Sequence, residues 1–139
     1  SIARLPRPTG ATLHALGFVE DVAPVLAAGD VVVSKSGGVS TAECMALGKP
    51  MVIAHAIAGQ EERNALSVVG AGAGVFAPTP TEVRYQVAQL LADPKKLAAM
   101  ARSARALGRP EAADTIADQV VDSVGPTRSA AGPRFHGAR

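Results

Sequence analysis

A chain of 139 residues with 47% hydrophobic and 19% charged residues has the size and composition of one domain with a real core. Its single cysteine, Cys44, excludes a disulfide scaffold and a multi-cysteine zinc site, and an aromatic content of 3% excludes a stacking surface for single-stranded nucleic acid. The formal charge of +2 comes from the chain ends: without residues 126–139, which hold three arginines and no acid, 11 basic residues face 12 acidic ones. Without residues 1–11 as well, 9 face 12, so the body is mildly acidic and no nucleic-acid partner is expected. No apolar run reaches the length of a membrane span and no secretory signal opens the chain, which sets a cytoplasmic expectation.

Residues 1–11 carry two prolines and a glycine and read as a flexible N-terminal segment. Thr12–Leu16, running into Gly17-Phe18-Val19, reads as a first strand, with His14 inside it. Asp21 is placed to cap a short helix over 22–28, where Pro24 is tolerated in the first turn. The β-branched run Asp30–Ser34 predicts a buried strand. A helix over 40–47 follows, stopped by Gly48, then a strand over 50–54, a helix over 60–69 and a weak strand over 74–76. Gly70, Gly72 and Gly74 follow a helix, so they read as its end and the start of that strand. Thr79-Pro80-Thr81-Glu82 has the form of a capping box and starts a helix to Ala92. Asp93-Pro94 starts the next, with Leu97, Met100, Ala101, Ala104 and Leu107 on one face. A last helix over 111–124 places Ile116, Ala117, Val120 and Val124 inward, and 125–139 reads as a disordered basic tail. Strands alternating with helices over 12–124 predict an α/β, Rossmann-like parallel sheet with flanking helices. Ligands of such sheets bind at the carboxyl ends of the strands, here the loops after Ser34 and Ala54.

The stretch Lys35-Ser36-Gly37-Gly38-Val39-Ser40-Thr41-Ala42-Glu43 joins a strand to a helix through two glycines. Glycine permits close approach of a ligand or a positive φ, the helix start offers free N–H groups, and Ser36, Ser40 and Thr41 add hydroxyls. This suits a phosphate or diphosphate, and equally a plain capped turn; the full P-loop and dinucleotide fingerprints are missing. Glu43 has two competing readings: the acid of a Ser40-x-x-Glu43 capping box, or an acceptor for ribose hydroxyls. Gln60 and Glu61, in the loop Ala58–Asn64, carry the donors and acceptors to bind sugar hydroxyls, or form a solvated first turn. Lys35 reads as a phosphate counter-charge or a solvated loop charge, His55 has no visible catalytic partner, and Cys44 reads as a small packing residue.

Taken in order, Gly17–Asp21, Gly29-Asp30 with its valine run, the 35–43 stretch, Gly48-Lys49-Pro50 and Ala58–Ala65 resemble the C-terminal, nucleotide-sugar-binding half of GT-B glycosyltransferases. The resemblance runs over about residues 12–76, more weakly to 108, and points to monogalactosyldiacylglycerol synthases, processive diacylglycerol glucosyltransferases and the transferase that forms lipid II. It implies a UDP-sugar donor and inverting transfer of a hexose to a lipid acceptor at the inner face of the membrane, without metal or other cofactor. By position, Phe18 and Val19 would meet uracil, Ser36, Gly37, Gly38, Ser40 and Thr41 the diphosphate, Glu43 the ribose, and Gln60 and Glu61 the hexose, with Asn64 supporting that loop. The catalytic base belongs to the family's N-terminal domain, so no catalytic residue is expected in this chain, which alone would be inactive. The alternative reading is an inactive fragment or nucleotide-binding module that needs a separate N-terminal half.

The chain departs from the family pattern in two ways. Ala56 and Ala58 stand where prolines often precede the Gln-Glu pair. The family's glycine-rich first strand and the strand after it do not precede Thr12 in the 139 residues, so an incomplete C-terminal half is expected. The strands near Leu13 and Val32 are then expected to pair directly or to leave apolar edges that promote self-association.

Overall fold

A computed structural model describes Gly10 and residues 12–124. The expectations for the two chain ends lie, apart from Gly10, outside these residues. The elements run α1 (Ala23–Ala28), β1 (Val32–Lys35), α2 (Gly38–Ala46), β2 (Met51–His55), α3 (Gln60–Gly70), β3 (Gly74–Phe76), α4 (Pro80–Ala92), α5 (Pro94–Leu107) and α6 (Ala112–Val124). Two compact units divide the chain, one ending at Gly108 and one starting at Arg109.

The first unit is built on a three-stranded parallel sheet in the order β1-β2-β3. Its central strand explains its stability. Met51, Val52 and Ile53 are each 0% exposed. Met51 and Ile53 pack with Cys44, Met45, Ala65, Val68 and Ala104, while Val52 points the other way, to Ala77, Leu90 and Met100. A strand covered on both faces needs a continuous apolar run, and β2 has one. Helix α5 joins both layers, with Met100 in one and Ala104 in the other, as the spacing of its apolar residues predicts.

Local signals set most boundaries. Asp21 Oδ1 accepts the Ala23 N–H at 3.1 Å. The Thr79 hydroxyl accepts from Glu82 N–H at 3.2 Å, and Glu82 accepts from Thr79 N–H at 2.9 Å, which completes the predicted capping box. Asp93 Oδ1 accepts from Lys96 N–H at 3.0 Å behind Pro94. At Gly74, a Cβ would lie 2.7 Å from the Met51 carbonyl oxygen, so glycine lets β3 lie close against β2.

Three expectations fail. Thr12–Val19 forms no strand, and His14 is therefore not a strand residue. Leu13, Leu16 and Phe18 are exposed, Phe18 at 95%. Without a neighbouring strand to take its backbone groups, an apolar run has no reason to extend. Of the two expected outcomes for this segment and the strand near Val32, direct pairing is absent and the open edge is what forms: among the described residues β1 pairs with β2 alone, with Val33 48% exposed. Second, α2 starts at Gly38 with Gly37 as its N-cap, two residues before the predicted start. Ser40 lies inside the first turn, so the Ser40–Glu43 capping box does not form. Third, α6, in the second unit, contains no buried residue, so its apolar stripe is not turned into a core.

Candidate functional site

Parallel strands β1 and β2 end side by side, and each is followed by a loop that starts a helix. The first loop turns through Ser36 and Gly37 into α2; the second runs through Ala56–Gly59 into α3. Gly59, at φ 97°, makes the turn that an L side chain resists, and leaves Gln60 and Glu61 in the first turn of α3.

Four polar links lock the two loops together. Ser36 N–H donates to the His55 carbonyl at 3.3 Å. The Ser36 hydroxyl donates to the Glu61 carbonyl at 2.7 Å, and Asn64 Nδ2 donates to the Ser36 carbonyl at 2.9 Å. Lys35 Nζ meets Glu61 Oε1 at 2.6 Å. The second Glu61 oxygen accepts the Ile57 N–H at 2.9 Å, which closes the loop on itself. The Lys35 ammonium, then the Ile57 N–H, hold the Glu61 carboxyl below the usual carboxylate value, and the field of nearby His55 acts the same way.

Ser36, Gly37, Gly38, Gln60, Glu61 and Asn64 are thus brought together. A Cβ built on Gly37 would lie 3.7 Å from Glu61 Oε1 and from Lys35 Cε, and one on Gly38 would lie 4.0 Å from Gln60 Nε2. Both are ordinary contacts, and neither glycine has a positive φ. Packing within the chain therefore does not require glycine at either position. Gly38 and Ser40 stand in the first turn of α2, where N–H groups have no intrahelical acceptor and the helix dipole favours an anion.

The other predicted residues are placed differently. Ser36 is 0% exposed with its hydroxyl engaged, so it supports the turn from within. The Thr41 hydroxyl oxygen is enclosed and has no hydrogen-bond partner among the described residues. The Glu43 side chain is half-buried and makes no hydrogen bond or ion pair among the described residues, so the expected competition from a helix cap is gone. Next to it, burial, reinforced by Glu43, pushes the Cys44 thiol up to about 11, which suits an inert packing residue. Phe18 and Val19 lie in the irregular segment, with no hydrogen bond to this cluster among the described residues.

The sequence reads Lys35 as a phosphate counter-charge or a solvated loop charge and does not pair it with Glu61, 26 positions away. No local signal marks such a pair; only the adjacency of β1 and β2 makes it. Beside α3 lies a second feature, a cavity of about 310 Å³ whose lining includes Ala56, Ala58, Glu62, Leu66, Val69 and Phe76. Among the described residues, no group of three or more His, Cys, Asp or Glu is arranged to hold a metal ion, and no helix is long and apolar enough to cross a membrane.

Comparison with known proteins places this arrangement in a family. Residues 5–116 match the model of the glycosyltransferase family 28 C-terminal domain. The chain is 38% identical, over 111 residues, to the UDP-N-acetylglucosamine--N-acetylmuramyl-(pentapeptide) pyrophosphoryl-undecaprenol N-acetylglucosamine transferase of Clostridioides difficile (strain 630), a match covering 75% of this chain and 27% of that enzyme. The enzyme of the same name from Mycobacterium avium (strain 104) is 35% identical, over 86% of this chain and 31% of its own length. The processive diacylglycerol beta-glucosyltransferase of Bacillus licheniformis is 29% identical, over 79% of this chain and 29% of its own length. Among solved structures, the glycotransferase of kitacinnamycin superposes with a TM-score of 0.50 at 35% identity, covering 70% of this chain and 27% of that one. The chain thus spans about three-tenths of the curated relatives it matches. Matched over most of its length and folded as an open parallel sheet with two interlocked loops at the strand ends, the chain belongs to the glycosyltransferase family 28 C-terminal domain family.

Proposed function

We propose that this chain is the donor-binding part of a UDP-sugar-dependent glycosyltransferase that passes a hexose to a lipid acceptor with inversion. One observation carries the reading: a glycine turn at the start of α2 faces the first turn of α3 across adjacent strand ends, with glycines that internal packing does not require. The backbone of Gly37 and Gly38, with Ser40, receives the diphosphate; Glu43, free of a capping role, takes the ribose hydroxyls; and the Gln60–Glu61 turn meets the hexose. Ser36 and Asn64 support these groups from within. Phe18 and Val19 meet the uracil once the 12–19 segment is drawn against the nucleotide.

In the reaction, an acceptor hydroxyl attacks the anomeric carbon as the bond to the β-phosphate oxygen breaks. Charge builds on the departing UDP, where an oriented helix start stabilises it in place of a cofactor. The base that takes the acceptor proton lies in another part of the enzyme. The names of the relatives, one with an N-acetylmuramyl-(pentapeptide) pyrophosphoryl-undecaprenol and one with a diacylglycerol, support a lipid acceptor.

Calorimetric titration of the 139-residue chain with UDP and UDP-hexoses tests the reading. Binding is expected, weakened about tenfold by Gly38→Ala and by Glu43→Ala, with the fold intact. A folded sample that binds neither ligand refutes it.

A further inference from the structure

Lys49, two residues before β2, spends its charge on backbone. Its ammonium donates to the Ala27 carbonyl at 2.7 Å and to the Gly29 carbonyl at 2.9 Å, at the C-terminal end of α1. It has no carboxylate partner among the described residues. The last carbonyls of a helix lack intrahelical donors and carry the negative end of its dipole, so a cation fits there. The Lys49 N–H donates to the Cys44 carbonyl at 2.7 Å, in the turn that closes α2. One residue thus joins the C-terminal ends of α1 and α2.

Helix α1 needs such a clamp. Its six residues are too few to hold a helix alone, and none of them is buried. Its other anchors are Leu26, half-buried against the core, and the Asp21 cap on the Ala23 N–H at the opposite end. The irregular segment 17–21 runs straight into that opposite end, as the glycine turn of Gly37 and Gly38 runs into the start of α2.

We infer that Lys49 is a positioning residue: by clamping α1 to the end of α2, it fixes the anchor of the 17–21 segment at a set distance from the glycine turn, so that base and diphosphate are met together. The inference deepens the donor-binding reading and rests on it for the ligand. Lys49 itself touches no nucleotide; it acts through α1.

Two measurements on the full chain decide this. The first needs no ligand: amide hydrogen exchange followed by NMR at Leu26, which donates to the Val22 carbonyl, and at Ala23, at the end of α1 away from the clamp. Lys49→Met is expected to speed both about tenfold, to leave exchange of the sheet amide of Ala77 unchanged, and Lys49→Arg to restore both. Unchanged exchange at Ala23 in Lys49→Met overturns the inference. The second compares UDP with ADP by calorimetry, two ligands that differ only in the base. The parent chain is expected to prefer UDP, Lys49→Met to lose about tenfold of that preference with its affinity for ADP unchanged, and Lys49→Arg to recover it. An equal loss for UDP and ADP makes Lys49 a prop of the whole fold or of the diphosphate turn and overturns the inference. An unchanged preference leaves Lys49 a stabiliser of α1 only and overturns it too. If the parent chain binds neither nucleotide, the donor-binding reading falls, and exchange at Ala23 still decides whether Lys49 fixes the anchor of the segment.

Discussion

The crevice loops and the segment Thr12–Val19 are both read from short sequence motifs, yet only the loops are organised. Around the crevice, Ser36, Asn64, Glu61 and Lys35 join chain positions 25 to 28 residues apart. Along 12–19, Leu13, Leu16 and Phe18 face solvent. The difference lies in what stands next to each. The loops leave two paired strands, so their polar groups find partners one strand away. The segment has an apolar pattern of similar strength and no neighbouring edge, and a strand is defined by its neighbour.

The sharpest way to break this contrast is to truncate an apolar residue in each region. Leu90→Ala, at a site that is 0% exposed, should cost about 2–5 kcal/mol in urea unfolding, whereas Leu16→Ala should stay within about 0.5 kcal/mol. A loss at Leu16 close to that at Leu90 would mean that the 12–19 segment packs in solution.

A smaller effect is expected from glycine. Gly74→Ala drives a Cβ toward the Met51 carbonyl and should destabilise by about 1–3 kcal/mol, while Gly38→Ala, with space around it, should leave stability unchanged or raise it by about 0.5 kcal/mol. Thermal melts of the two variants check this; equal losses would remove the argument that glycine at 38 is there for a ligand.

Thr41→Val removes an enclosed hydroxyl that has no partner among the described residues, so it should be neutral or stabilising by about 1 kcal/mol and leave UDP affinity as it is. A drop in affinity would return Thr41 to the diphosphate site.

The gentlest probe is pH. The folded chain holds the Glu61 carboxyl low, so the contribution of the pair is full above the ordinary carboxylate pKa and disappears as pH falls through the lower folded value. Carbon NMR of the Glu61 carboxyl should show a midpoint below that of ordinary glutamates, moved upward by Lys35→Met. An ordinary midpoint in the parent chain would show that the pair is not formed in solution.

Where a physical signal is local, the sequence carried it. The Thr79–Glu82 capping box, the Asp93-Pro94 start of α5 and the glycines that end α3 and open β3 all depend on residues within a few positions of each other. The continuous apolar run of β2 and the spacing in α5 were also legible, because burial repeats with the period of the element. The start of α2 was not: Ser40-x-x-Glu43 satisfies the capping pattern, but Gly37, which leaves the glycine turn in extended geometry, caps the helix instead. The residue types of the site, their order and their place at two strand ends could be read from the sequence. Which of them look outward could not, since that depends on β1 lying beside β2. That adjacency encloses the hydroxyl of Ser36 and pairs Lys35 with Glu61, because hydrogen bonds and ion pairs follow distance in space and not distance along the chain.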